Sequence, residues 1–199
     1  IVTVTSDMSR SYMPAIAKYF PNAVNIIDKF HVKQLLLNAL DEVRKDEQKH
    51  CKGKQTLFRG RKLFMIPHGK MTEAQEKKLV ALSKAYPKTG RAFRIVEALD
   101  SFYACTTPEE ASAALDGLYS WMRRSRLQPM KDAAMSLQRN RGKILAYFTH
   151  RLTNAICEGI NSMIQAAKRK ARGYHTFSGF SSMIYLVAGK LDLAVPMPF

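Results

Sequence analysis

Three acidic residues stand in positions from which they could do chemistry. Asp7 follows the run Ile1-Val-Thr-Val-Thr5, which stops at Ser6-Asp7. That run is β-branched, the composition of a buried strand. A carboxylate just past the C-terminal end of a parallel strand sits where open α/β sheets hold ligands and catalytic groups. An ordinary turn or helix-capping Asp explains the same position. Asp28 ends a second short run, Ala23-Val-Asn-Ile-Ile27, in the same way, and His31 follows three residues later. Here too a structural account competes: Asp28 as the cap of the following helix, with His31 in its first turn.

The third acid is Glu158. Asn154, Glu158, Asn161, Gln165, Lys168 and Arg172 recur at steps of three and four, so they share one face of a helix. Ile156, Ile160, Met163, Ile164, Ala167 and Ala171 fall largely on the other side. A solvated face accounts for the polar stripe. A metal-ligating Glu flanked by the amides of Asn154 and Asn161, with phosphate-binding cations further along, accounts for it as well. Those cations are Lys168, Arg169, Lys170 and Arg172.

The charge balance identifies the kind of partner. The 199 residues carry 32 Lys and Arg against 16 Asp and Glu, a net +16. Such an excess opposes compaction unless a polyanion neutralises it, and nucleic acid rewards each cation through counterion release. A membrane surface is the rival, but no apolar run approaches the roughly 20 residues of a spanning helix. Cations crowd residues 120–175, where only Asp132 and Glu158 oppose them. Arg139, Arg141, Lys143, Arg151, Lys168, Arg169, Lys170 and Arg172 are therefore candidate contacts to a DNA backbone. Trp121 and the Phe and Met residues of 176–187 read as packing. The three cysteines, Cys51, Cys105 and Cys157, form no Cys-x-x-Cys pair, which argues against a zinc ribbon and fits a reducing cytoplasm.

The elements that must position these groups follow from pattern. Strand, helix (12–20) and strand succeed one another in under thirty residues, a βαβ unit with parallel strands. Helices are expected over 32–49, 72–86, 88–104, 108–125, 129–150, 153–172 and 176–192, with a basic loop around 52–62. Thr72 through Gln75 and Thr107 through Glu110 are capping patterns. The expected fold is α/β but predominantly helical. Its parts are a strand–helix–strand piece (1–31), an all-α insertion (32–150) and closing helices (151–199). Two parallel strands make a poor sheet alone, so the chain reads as a piece of a longer one that supplies the remaining strands.

Val2-Thr-Val-Thr-Ser-Asp7-Met-Ser-Arg-Ser-Tyr12, Phe20-Pro-Asn-Ala23 and Asp28-Lys-Phe-His-Val32 resemble the DDE transposases of the ISL-three insertion-sequence family. So do Leu40-Asp-Glu-Val-Arg44 and the block Thr153-Asn-Ala-Ile-Cys-Glu-Gly-Ile-Asn161, followed by Ile164, Lys168, Arg169, Gly173, Tyr174 and Phe177. The resemblance runs through nearly the whole chain and is strongest at its two ends. It implies a ribonuclease H-like fold, here partial, with Asp7 as the second Asp of the triad and Glu158 as its closing Glu. Asp28 and His31 match an Asp-x-x-His signature lying near the active site. The resemblance further implies two Mg²⁺ (or Mn²⁺) ions, transposon-end and target DNA as partners, and a homodimer or higher oligomer in a bacterial cytoplasm, at the nucleoid. The triad's first Asp has no counterpart in these residues, so the chain alone is expected to be inactive. A structure-specific nuclease of the same fold and a non-catalytic DNA-binding or assembly module are the alternatives.

Overall fold

The computed structural model describes residues 1–8, 12–51, 54–66, 68–153 and 155–189, and within these ranges all side chains but those at 12, 54, 68 and 155–158. The chain divides into two compact units, Ile1–Leu152 and Thr153–Phe199.

The first unit begins with the βαβ motif expected from composition. Strands β1 (Thr3–Ser6) and β2 (Val24–Ile27) flank helix α1 (Tyr12–Tyr19). They pair in parallel, in a register running from Thr3↔Val24 to Ser6↔Ile27. Ile26 and Ile27 are fully buried, which fixes β2 as the inner strand of the pair.

Helix α2 (Lys29–His50) is the axis of the unit. Its Val32, Leu36, Ala39, Leu40 and Val43 are buried at three- and four-residue spacing, so one stripe faces inward. That stripe packs against α5 (Pro87–Tyr103) and α7 (Gln128–Arg139), while α8 (Arg141–His150) lies against β2. Leu36, Ile95, Leu99, Phe102, Met122, Met130, Leu137 and Ile144 are buried in a core continuous with Ile26 and Ile27. Strands and helices of this unit therefore share one core.

The local signals for helix starts are realised. Thr72 and Gln75 form a reciprocal capping box at α4 (Glu73–Ala85), and Thr107 and Glu110 form another at α6 (Pro108–Arg124). Helix α5 has no side-chain cap of its own. Glu47 of α2 supplies one instead, accepting from the backbone N–H of Lys88 (3.1 Å) and of Thr89 (2.7 Å). Gly90 is buried where α5 meets α4, and a Cβ there would lie 2.7 Å from the Ser83 carbonyl oxygen.

Two of the expected elements are corrected. The stretch 52–62 is not a basic loop: α3 (Lys54–Gly60) and a 3₁₀ segment (Arg61–Met65) occupy most of it. Leu57 and Phe64 are its buried anchors, and Phe64 meets Phe93 of α5 edge-on at 5.6 Å. The helix expected over 129–150 is two, α7 and α8, broken at Asn140. There the Asn140 amide Nδ2 donates back to the Ser136 carbonyl at 2.9 Å, replacing helix continuation with a local bond.

The second unit is a pair of packed helices, α9 (Ala155–Lys170) and α10 (Phe177–Ala188). Arg172 (φ 55°) and Gly173 (φ 100°) turn the chain between them through the left-handed region. The Gly173 N–H closes on the Lys168 carbonyl at 3.0 Å, a helix-ending bond that glycine makes without strain. Lys168 stands 5.5 Å over the Phe180 ring, which also meets Tyr174. No residue of α10 is buried, and Phe177 is 84% exposed, contrary to its expected packing role. Among the described residues, no helix is long and apolar enough to cross a membrane.

Candidate active-site edge and basic surfaces

The final rung of the parallel pair joins Ser6 to Ile27, so Asp7 and Asp28 are the next residue on each strand. The Asp28 N–H donates to the Ser6 carbonyl at 3.1 Å, extending the ladder by one bond. The two acids therefore leave the sheet together, at its C-terminal edge. Behind them, the Ser6 hydroxyl donates to Asn25 Oδ1 at 3.0 Å, and Asn25 Nδ2 donates to Met13 Sδ at 3.3 Å, tying the edge to α1.

The two carboxylates differ in setting. Asp7 is partly exposed. Asp28 is buried and caps α2, its Oδ1 accepting from the Phe30 N–H at 2.7 Å. The His31 N–H bonds to the Asp28 backbone carbonyl at 3.1 Å, so His31 lies in the first turn of α2, its ring edge-on to Phe30 at 5.6 Å. An aromatic group from α5 and α8 (Phe102, Tyr103, Tyr147 and Phe148) stands behind the cap. Burial pushes the Tyr103 hydroxyl well above its ordinary value, and the charge of Asp28 and then Tyr147 push it further. The phenol stays protonated throughout the physiological range.

Glu158 lies in α9, but its side chain is outside the described ones, and Asn154 lies outside the described residues altogether. Asn161 is exposed on α9, as are Lys168, Arg169 and Lys170, with Arg172 exposed just beyond. Asp7 offers hard carboxylate oxygen at an accessible strand end, the donor type Mg²⁺ prefers. Among the described residues, no three His, Cys, Asp or Glu side chains gather to form a metal site.

The candidate DNA-binding cations separate into two groups. Arg141 grips Asp116 with two nitrogens, at 3.2 and 2.9 Å, and also reaches the Ser112 hydroxyl at 2.6 Å, joining α8 to α6. Arg151 adopts a left-handed conformation (φ 53°) at the end of α8. Its guanidinium donates to the Cys105 and Thr106 carbonyls at 3.2 and 2.8 Å and covers the Phe148 ring at 5.2 Å. Lys143 contacts Met13 Sδ at 3.0 Å, and Arg139 bonds to the Met135 carbonyl of its own helix at 3.3 Å. Arg123, Arg124 and Arg126 are exposed, as is Trp121 at 37%, so Trp121 is not a core residue.

Sequence reasoning missed Phe30, Lys29, Lys33 and Tyr103, which surround the start of α2. A signal for Phe30 was present: it lies about half a turn around α2 from the stripe Val32, Leu36, Ala39 and Val43. An aromatic residue there has no place in the core.

With this geometry in hand, comparison with known proteins gives the family. A family model described as "Transposase", that of the ISL-three DDE group, matches residues 1–184. The chain belongs to that transposase family. It is similar to the transposase of insertion sequence element IS1557 of Mycobacterium tuberculosis, at 26% identity over 202 residues, covering 88% of this chain and 45% of that protein. It is also similar to the transposase of element IS1001 of Bordetella parapertussis, at 26% identity over 179 residues, covering 87% of this chain and 44% of that protein. The chain thus spans less than half the length of these curated relatives. No solved structure matches it.

Proposed function

We propose that this chain is part of a DDE-type transposase, one that cleaves DNA at transposon ends and joins the freed ends to target DNA on a partial ribonuclease H-like core. The observation that carries this reading is the pair of acids leaving one edge of a parallel β-pair in a chain of this family, with Asp7 accessible. Asp7 and Glu158 would hold the metal, Mg²⁺ or Mn²⁺, two ions in the complete site. When bound, the metal supplies charge neutralisation at the attacking and leaving oxygens of the phosphodiester.

Each remaining role falls to a residue of the chain. Asp28 fixes the first turn of α2 and so the shape of the edge beside Asp7. The cations ending α9 hold backbone phosphates near the Glu-bearing helix. In the first step, water attacks the phosphorus at the transposon end, and the 3′-oxygen leaves as a hydroxyl. In the second, that 3′-hydroxyl attacks a target phosphodiester, forming one P–O bond as another breaks. A dimer or higher assembly would hold two ends at once. The triad's first Asp has no counterpart in these residues, so the 199-residue chain alone binds DNA without cutting it.

The test uses the full-length protein that contains this chain, with its own end DNA and Mg²⁺. Asp7→Asn and Glu158→Gln should each lower cleavage and strand transfer at least about 100-fold, with DNA binding intact. Undiminished cleavage in either variant would overturn the assignment. Cleavage without joined products would instead identify a structure-specific nuclease. A non-catalytic DNA-binding module is the second reading, and the net charge of +16 supports DNA binding under either reading. DNA binding with no metal-dependent cleavage by the full-length protein would establish it.

A further inference from the structure

A pocket of about 430 Å³ opens between the start of α2 and the end of α5, lined by Lys29, Phe30, Lys33, Asp100, Tyr103 and Ala104. It begins one residue beyond Asp28, on the sheet edge from which Asp7 also leaves. Its volume is in the range of small-ligand sites.

The lining has three features that together specify an occupant. The first is Phe30, 56% exposed and turned away from the buried stripe of α2. The Asp28 cap holds its backbone, and the Phe30 and His31 rings meet at 5.6 Å, nearly perpendicular, so the ring is mounted on a fixed helical turn. An exposed aromatic there contributes nothing to the core, yet it offers a flat face ready to stack. The second is the Lys29 ammonium, which stands 6.0 Å from the centre of the Tyr147 ring. The third is the Lys33–Asp100 pair, bonded at 2.6 Å, as a polar rim with a donor beside an acceptor.

A stacking face, a cation for phosphate, and a donor–acceptor rim for a polar edge are the three contacts a nucleotide makes. A base inside a duplex keeps its faces stacked on its neighbours, so the occupant is unpaired. The chain's net +16 makes a polyanion the complementary partner. We propose that this pocket receives one unstacked nucleotide of a single-stranded DNA segment, with its base against Phe30 and its phosphate at Lys29. The inference rests on the proposed function, which brings a DNA strand to this edge.

The test uses the 199-residue chain with two labelled probes, oligo-dT and a mixed-sequence duplex, read by fluorescence anisotropy. Phe30→Ala and Phe30→Leu should each weaken oligo-dT binding roughly tenfold, with duplex affinity within about twofold. Phe30→Trp should restore oligo-dT binding, and the emission of the new indole should be quenched by the oligonucleotide. Phe30→Leu keeps apolar bulk and lacks a stacking face, so a loss there that tryptophan rescues is a stacking effect and not a folding one. Oligo-dT binding indifferent to all three variants, or an equal loss on both probes, would overturn the pocket while leaving the transposase reading intact. Failure of the wild-type chain to bind either probe would overturn the pocket together with the DNA-handling role on which it rests.

Discussion

Arg141 and Arg151 belong to the same lopsided stretch of sequence as Lys168, Arg169, Lys170 and Arg172, yet the two groups are used differently. In the first unit, Arg141 bridges α8 to Asp116 and Ser112, and Arg151 fastens the end of α8 to the carbonyls following α5. In the second unit, the cations ending α9 and the turn after it are exposed, and Lys168 covers Phe180 while still reaching solvent. A cation already bonded to protein must break those bonds before it can contact phosphate. One in water gives up only hydration, and its contact with phosphate is favoured by the entropy of the counterions that DNA releases to solution. A dense basic stretch is thus two things at once, internal bracing and external charge, and only the second attracts DNA strongly.

The comparison can be broken first at α9. Replacing Lys168, Arg169, Lys170 and Arg172 together with Ala should lower duplex affinity on the order of 100-fold in low salt. It should also flatten the slope of log affinity against log salt by roughly three to four units. An unchanged slope in a salt titration would show that these cations do not meet phosphate.

The scaffold of the first unit should respond in the opposite sense. Gly90→Ala forces a Cβ to 2.7 Å from a backbone oxygen of α4, which has no rotamer with which to yield. The expected cost is about 2 kcal/mol in chemical denaturation, with the DNA affinity of the folded fraction unaltered. A neutral result would mean that α4 can shift as a body.

Arg151→Ala is a smaller change of the same kind. It removes two hydrogen bonds to carbonyls and a guanidinium from an aromatic face, at an exposed position. About 1 kcal/mol of stability should be lost, and DNA affinity should hold within about twofold. A large loss of affinity would move Arg151 into the DNA-contacting group.

The smallest effect concerns pH. The Thr106 N–H, and then the Thr107 N–H, hold the Glu110 carboxyl below its ordinary value of 4.5. A carboxylate depressed in the folded state stabilises above its unfolded value, and that stabilisation fades as pH falls through the folded one. The difference in Tm between wild type and Glu110→Gln should therefore be present at neutral pH and shrink below about pH 4.5. A difference that grows on acidification would contradict the capping role.

Much of the frame was legible because its determinants are local. The βαβ unit follows from two β-branched runs with an amphipathic segment between them, and its parallel pairing is the register observed. The capping boxes at Thr72 and Thr107 involve residues three apart, so sequence contains both partners. Asp28 as the α2 cap is equally local, its carboxylate reaching only to the Phe30 N–H. The segment 54–65 was obscured by its Lys and Gly content, since its helicity depends on burying Leu57 and Phe64 against distant residues. The break at Asn140 carries no Pro, and Asn140 with Gly142 two residues on is a weak local signal; the break becomes plain with the side chain bonding back to Ser136.

The sequence by itself determined the two strands with their acids, most of the helices, the excess of positive charge and the resemblance to transposases. Each of these depends on residue identity or on neighbours within about one helical turn. Tertiary structure alone decided which cations face protein and which face water. It also decided that Glu47 would cap a helix some forty residues away, and that Phe30 would line a pocket with Tyr103 and Asp100. Those outcomes join residues far apart in the chain, and periodicity records which face a residue occupies but not what the fold brings against it.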